Sequence, residues 1–394
     1  MLVVLALALV PVLFIGGCLV VALGLVVYDY REYASEKAAA ASDPRLQQPL
    51  VSTAGRILFK AQHDAIDDFY IVNVDGSGLT RLTTHPRGFI YSAPPIVSPD
   101  GTRLAMISDG QVLIRRLDRP GVTTRLDRPG GSLAWSPDGE RLASLRIDDQ
   151  QRLYLYLFNA DGAGDVRDIA QAWPSTAVTR HEQSVSDLVW SPDEKRFAFI
   201  LHTRPRPKSL GVRHNHLYIA TADGRLKNIS VEANQVPVER ALAWSPDGRR
   251  LAFAGGRGIG IVDVDLKWTD SPAEFHETRA SQRPAWSPDG TRLAWFSRDS
   301  IVVGDADTEN QQELAKGLCR GFHPAWSQDG KRLALVCNSS WGQLNIFAMN
   351  ADGTGLRQVT RFGDEAWSRA AASAFLSPEY PVWLPAISAT SHAP

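Results

Sequence analysis

Six copies of one short phrase punctuate this chain: Ile96-Val97-Ser98-Pro99-Asp100-Gly101, Ala134-Trp135-Ser136-Pro137-Asp138-Gly139, and the units built on Ser191, Ser245, Ser287 and Ser327. They recur every roughly 40 to 55 residues, the spacing of a supersecondary unit stacked as an array, and a four-stranded propeller blade has that length. Within each phrase Pro fixes φ near −65°, Asp bonds the backbone ahead of it, and Gly supplies a positive-φ exit, so each phrase predicts a tight hairpin turn. The strand before the turn is small and aromatic, as in Pro284-Ala285-Trp286. The strand after it is basic and then apolar, as in Arg292-Leu293-Ala294-Trp295-Phe296. Trp135, Trp190, Trp244, Trp286 and Trp326 therefore share one structural position, suited to filling the space between neighbouring blades rather than to stacking a ligand.

A third β-rich run follows each basic-apolar strand, at Phe69–Val74, Leu153–Tyr156, Leu217–Ala220 and Asn345–Met349, and several end in the Asp-Gly hairpin signal. The hairpins at Val74–Thr83 and Asn350–Thr360 are near copies from opposite ends of the chain. In these residues the chain resembles the TolB-like β-propeller family, whose repeats carry Trp-Ser-Pro-Asp-Gly-x-Arg-Leu-Ala followed by an Asp-Gly-x-x-x-x-x-Leu-Thr hairpin. The resemblance spans about Arg56 to Pro385 and is specific for architecture, not for function.

The expected fold is all-β. Second strands starting near Arg56, Arg103, Arg141, Arg196, Arg250, Arg292 and Arg332 give seven four-stranded blades, with six and irregular ends as the alternative. The first blade lacks a Ser-Pro turn, while Ala374–Glu379 is an orphan first strand, so the C-terminal strand is expected to complete the N-terminal blade and leave the ring no free edge. Glu194 replaces one turn glycine and Gln328 one turn proline.

Ahead of the propeller, residues 2–28 carry no charge and as a helix would extend about 40 Å, enough to cross a bilayer. The expected organisation is a transmembrane anchor (1–30), a linker (31–55), the propeller (56–385) and a C-terminal tail (386–394). The run is longer than a cleavable signal's apolar region and has no basic start, although the small residues at 38–42 offer a cleavage site. Cys18 sits in a sequence resembling a lipoprotein acylation site, but the apolar run continues beyond it. The basic residues Arg31, Lys37 and Arg45 lie on the propeller side, which alone would keep the propeller in the cytoplasm. The family resemblance implies the opposite, a single-pass protein of the cell membrane with its propeller outside. Cys319 and Cys337 flank the hairpin around Gln328 at equal distances, leaving a cross-strand disulfide and two buried thiols both open.

The net charge of −1 gives no general attraction to nucleic acid. No Gly-x-Ser-x-Gly elbow, His-Glu-x-x-His pair or Gly-Lys-Ser/Thr loop occurs, and no cofactor is expected. Some serine peptidases carry a similar propeller before a hydrolase domain, but only about ten residues follow Trp383-Leu384-Pro385, and the catalytic half is expected to be missing. Gly255–Gly260 reads as a hairpin joining two strands, and the pairs Asp263/Asp265 and Asp305/Asp307 as ordinary turn chemistry rather than calcium ligands.

One segment breaks the repeat. The insertion from His202 to His216 connects a second strand to a third, on the face opposite the Ser-Pro-Asp-Gly turns. Arg204, Arg206, Lys208 and Arg213 would make that face locally positive, joined by Arg240, Arg283, Arg320 and Arg369 ahead of the first strands at the channel mouth. Such a rim suits an acidic protein tail, an anionic glycan or a phosphate-bearing ligand; the plain alternative is a solvated loop. His202, His214 and His216 form a candidate site for zinc or copper if all three converge. The functional expectation is a membrane-anchored, non-catalytic scaffold binding a protein or anionic ligand in the cell envelope, with a sensor domain indistinguishable from it. The alternative is a channel enzyme of lactonase or glycan-lyase type, which would need acidic or histidine residues converging on the axis.

Overall fold

The computed structural model describes residues 55–360, apart from short internal segments of which the longest are 83–94 and 265–273, together with residues 382–384. The apolar run 2–28, the linker up to residue 54 and the tail from 386 lie outside the described residues. Among the described residues no helix is long and apolar enough to cross a membrane.

Seven four-stranded antiparallel sheets follow one another around a ring. Blade one joins β1 (Arg56–His63), β2 (Ile66–Asn73) and β3 (Thr80–Arg81) to the last strand of the chain, β28 (Val382–Leu384). Blade two comprises β4 (Ile96–Val97), β5 (Arg103–Ser108), β6 (Gln111–Arg116) and β7 (Thr123–Pro129). Blade three runs from β8 (Ser132–Trp135) through β9 (Arg141–Ile147) and β10 (Leu153–Asn159) to β11 (Arg167–Trp173). Blade four is β12 (His181–Trp190), β13 (Arg196–Pro205), β14 (His214–Thr221) and β15 (Leu226–Asn228). Blade five is β16 (Val238–Trp244), β17 (Arg250–Gly255), β18 (Gly258–Asp263) and β19 (Glu274–His276). Blade six is β20 (Ala285–Trp286), β21 (Arg292–Ser297), β22 (Ser300–Asp305) and β23 (Gln312–Leu314). Blade seven is β24 (Arg320–Trp326), β25 (Arg332–Asn338), β26 (Leu344–Asn350) and β27 (Arg357–Gln358). The first strands of successive blades touch one another, which makes them the wall of the central channel.

The second strands begin at the seven expected arginines, and the ring closes as expected through a C-terminal strand. The closing segment itself is corrected. Val382-Trp383-Leu384 pairs with β1, Trp383 opposite Ile57, whereas residues 374–379 lie outside the described residues. Pro381-Val382-Trp383-Leu384-Pro385 keeps the Pro-x-Trp-x-Pro outline of Pro284–Pro288 but not its Ser and Asp. The reason is local: Ser and Asp build the turn into the second strand, and here that strand comes from the other end of the chain, so no turn has to form.

In the six remaining blades the turn is built alike. The phrase serine is buried, its hydroxyl donates to the Asp carboxylate two residues on, and it accepts the N–H of the arginine that opens the second strand, at 2.8–3.0 Å. The same carboxylate accepts the backbone N–H of residues such as Thr102, Glu140 and Thr291. The turn is thereby locked from inside by two side chains. Glu194 adopts φ +60° where the other turns have glycine.

The core lies between blades. Ile107, Ile114 and Leu126 of blade two pack with Leu133, Trp135 and Leu142 of blade three. Leu145 and Leu155 of blade three pack with Phe197, Phe199 and Tyr218 of blade four, and the pattern continues around the ring. One cluster joins Val336 and Ile346 of blade seven, Ile57 and Phe69 of blade one, and Leu104 and Met106 of blade two, so the closing blade is welded on both sides.

Candidate functional site

The repeat's own chemistry is spent on the ring. The tryptophans at this position are buried, and in five blades the indole N–H donates to the carbonyl of the equivalent first strand in the preceding blade: Trp135 to Ile96 (3.1 Å), Trp244 to Val189 (3.4 Å), Trp286 to Ala243 (3.0 Å), Trp326 to Ala285 (3.0 Å) and Trp383 to Ala325 (2.9 Å); the Trp190 indole N–H is buried with no hydrogen-bond acceptor among the described residues. The arginine opening the preceding blade's second strand then lies over that indole, with guanidinium-to-ring distances from 4.6 Å (Arg292 on Trp326, Arg332 on Trp383) to 5.3 Å (Arg196 on Trp244). Several of these arginines also bond the next blade's turn, as Arg196 does to the Gly248 carbonyl at 2.7 Å and Arg292 to Gly330 at 3.0 Å. A guanidinium has the flat face and the fork of donors to do both at once. Glu194 fits the same scheme, its carboxylate receiving Arg141 of blade three.

Blade four departs from this pattern. β12 and β13 have ten residues each, and their ladder continues past the core to pair His181 with Pro205. The expected insertion is accordingly narrower than its sequence: residues 202–205 and 214–216 belong to strands, and only 206–213 connect them. Thr203 pairs with His214, so alternating backbone donors and acceptors extend the sheet where a loop was expected.

A run of polar side chains crosses this blade toward the channel. Asn215 Oδ1 lies 2.7 Å from His202 Nδ1, His202 Nε2 lies 2.8 Å from Ser186 Oγ, and Ser186 Oγ lies 2.7 Å from Asp187 Oδ2. Asp187 Oδ1 in turn accepts the Ala241 N–H of blade five at 3.3 Å. His202 is 8% exposed, while Ser186 and Asp187 on the channel wall are half-buried. A bulge between Ser186 and Val189, with Asp187 at φ +55°, turns this part of β12 out of its ladder. Ala241 (φ +75°) and His323 (φ +50°) stand at the same place in blades five and seven, three residues before the tryptophan, so bulged first strands shape the channel wall at several blades.

The metal candidate is corrected by register. His202 faces Asn215, whereas His214 and His216 face Thr203 and Leu201, which puts His202 on the opposite side of the sheet from the other two. His214 and His216 approach each other to 6.5 Å between ring centres, and burial, followed by the neighbouring His214, holds the His216 imidazole below its ordinary pKa. Among the described residues no group of three potential ligands gathers. Asp307 meets Arg250 at 3.1 Å and Asp305 accepts Asn310, while Gly255 pairs with Gly258 across the expected hairpin.

The basic rim falls largely outside the described residues: Arg206, Lys208, Arg213, Arg283 and Arg369 lie there entirely. Arg204 sits in β13 opposite Glu182, and Arg240 and Arg320 sit in the first strands β16 and β24, opposite Ala254 and Asn338. Cys337 is disulfide-bonded, and the chain's remaining cysteines, Cys18 and Cys319, lie outside the described residues. The facing residue of Cys337 is Gly321, not Cys319, because the hairpin is centred between Asp329 and Gly330, and the bulge between Phe322 and Ala325 shifts the ladder back by only one residue.

No protein-family model matches the sequence, and no curated protein matches it. Solved structures do. A functionally unknown protein from Desulfotomaculum acetoxidans aligns over 83% of this chain and 100% of its own, with 12% identity and a TM-score of 0.52. Prolyl oligopeptidase B from Galerina marginata aligns over 84% of this chain at 13% identity and a TM-score of 0.53, and there the chain spans about half of the longer protein, 52%. TolB from Acinetobacter baumannii aligns over 84% of this chain and 67% of its own, at 14% identity and a TM-score of 0.46. At such identities what the chain shares with the first two of these proteins is the fold, a β-propeller, here of seven blades closed by Trp383.

Proposed function

We propose that the chain is a membrane-anchored propeller of the cell envelope that serves as a non-catalytic scaffold for a protein or anionic ligand, with residues 2–28 as its anchor and the propeller on the outer side of the cell membrane. The observation that carries this reading is the contrast between blades. Serines, aspartates, tryptophans and arginines of the repeat are committed to turns and blade junctions, while blade four alone among the described blades extends its first two strands to ten residues, ending at the basic segment 204–213. A face that departs from a structural repeat is where selection for something other than the ring has acted. The basic residues there give it the chemistry for an acidic protein tail or an anionic glycan.

The test is crosslinking and affinity capture from detergent-solubilised native membranes with wild type and the variant Arg204→Ser/Arg206→Ser/Lys208→Ser. A discrete partner captured by wild type and lost in the folded variant is expected; equal capture by both would remove the basic face from the account. A second reading, a channel enzyme of lactonase or glycan-lyase type, draws on the Asn215–His202–Ser186 run, which would supply an imidazole for acid–base work. Turnover of a lactone or acidic glycan by purified protein, abolished in His202→Ala, would favour it.

A further inference from the structure

Junction one–two breaks the rule that every other junction follows. In the register, Val97 pairs with Leu104 as Trp135 pairs with Leu142 and Trp383 with Ile57, so Val97 occupies the tryptophan position of blade two. Arg56 opens β1 as Arg332 opens β25, so it is the arginine that would cover that tryptophan. With valine there, no indole lies under the guanidinium. Among the described residues the Arg56 guanidinium makes no hydrogen bond, ion pair or ring contact, whereas the six equivalent arginines all lie over a tryptophan. Val97 is half-buried, while the tryptophans at its position are buried. The carbonyl that would accept the missing indole N–H, by the pattern of the five junctions that make this bond, is that of Val382.

We propose that junction one–two is a binding site for a planar aromatic carboxylate, whose ring takes the place of the missing indole beneath Arg56 and whose carboxylate meets the guanidinium fork. Three groups converge on this chemistry: a cation without a counter-charge among the described residues, the small Val97 packed against the cluster of Leu104 and Met106, and a backbone acceptor for a ring N–H. Burial draws the Arg56 guanidinium below its ordinary pKa, as expected of a cation partly withdrawn from water. The site lies at the turn side of the ring, at the opposite end of the blades from Pro205 and His214, and does not rest on the scaffold reading.

Calorimetric titration of the full-length, detergent-solubilised protein with indole-3-acetate, indole and acetate tests it. Indole-3-acetate is expected to bind, indole at least about tenfold more weakly for want of the charge-assisted bond, and acetate not measurably. Val97→Trp restores the repeat, and it should abolish indole-3-acetate binding while raising Tm. Arg56→Gln should weaken binding by about tenfold or more. The basic-face triple variant should bind indole-3-acetate as wild type does, which keeps the two proposals separable. No binding by wild type, or unchanged binding by Val97→Trp, overturns the site; should Val97→Trp not fold, unchanged affinity in Arg56→Gln overturns it.

Discussion

At the scale of single residues, the chain depends on polar groups placed inside its turns. Asp289 is the sharpest case. The Ser287 hydroxyl, then the Thr291 backbone N–H, hold its carboxyl well below the ordinary value, at about 2. A carboxyl lowered in the folded state contributes stability that is complete above its unfolded value near 4 and is lost as the pH falls through about 2. Asp289→Asn should therefore lower stability at neutral pH by about 1 kcal/mol, since the carboxylate is largely solvated, and flatten the acid limb between about pH 4 and 2. Chemical denaturation across that range reads both effects. The tryptophans were legible in the sequence because they recur at one offset from a turn. Their arginine partners were not: the arginine that covers Trp326 is Arg292, one blade earlier, and nothing adjacent in the sequence announces a contact across a blade boundary.

Among elements, strands and turns followed the sequence wherever the periodic pattern was intact, and departed from it at bulges. The Ser186–Val189 bulge sets Asp187 where it can meet Ser186 and Ala241, and the Phe322–Ala325 bulge moves Gly321 opposite Cys337. Both rest on one residue at positive φ, which no alternation of apolar and polar residues encodes. The run Asn215–His202–Ser186 was invisible for a related reason, as it gathers three strands whose register had first to be known. His202 could be singled out but not given its partners. Glu194 illustrates how a departure from the repeat is tolerated. Its left-handed backbone costs on the order of 1 kcal/mol, partly offset by the ion pair with Arg141. Glu194→Ala keeps the strain and loses the pair, so it should destabilise by about 0.5–1 kcal/mol. Glu194→Gly sheds the strain but loosens the unfolded chain, so it should fall within about 0.5 kcal/mol of wild type. The reverse order in thermal unfolding would remove the pair from the account.

For the whole molecule, the ring is a closed cycle of seven junctions, and the one that ties the two chain ends together rests on Trp383. That residue fills the space under Arg332, bonds the Ala325 carbonyl and packs in the cluster that spans blades seven, one and two. Trp383→Ala should cost about 3–5 kcal/mol, as for any large core truncation, and should loosen blade one first. Hydrogen exchange checks this: protection should fall in β1 and β2 before β17 or β21. Closure was legible as a principle, because a blade begun without its turn needs a first strand from elsewhere. The strand was misplaced because Ser377-Pro378 copies letters of the phrase, while Pro381–Pro385 copies the part that a closing strand needs.

The molecule divides into a repeat that holds the ring together and departures from the repeat, to which we assign its function. Stability and partner capture, measured side by side for two sets of variants, test that division most directly. Arg250→Met/Arg292→Met removes two guanidinium covers and should lower Tm, while the protein still captures its partner at temperatures where it is folded. Arg204→Ser/Arg206→Ser/Lys208→Ser should leave Tm unchanged and abolish capture. Loss of capture in the folded junction variant, together with full capture by the basic-face variant, would contradict it.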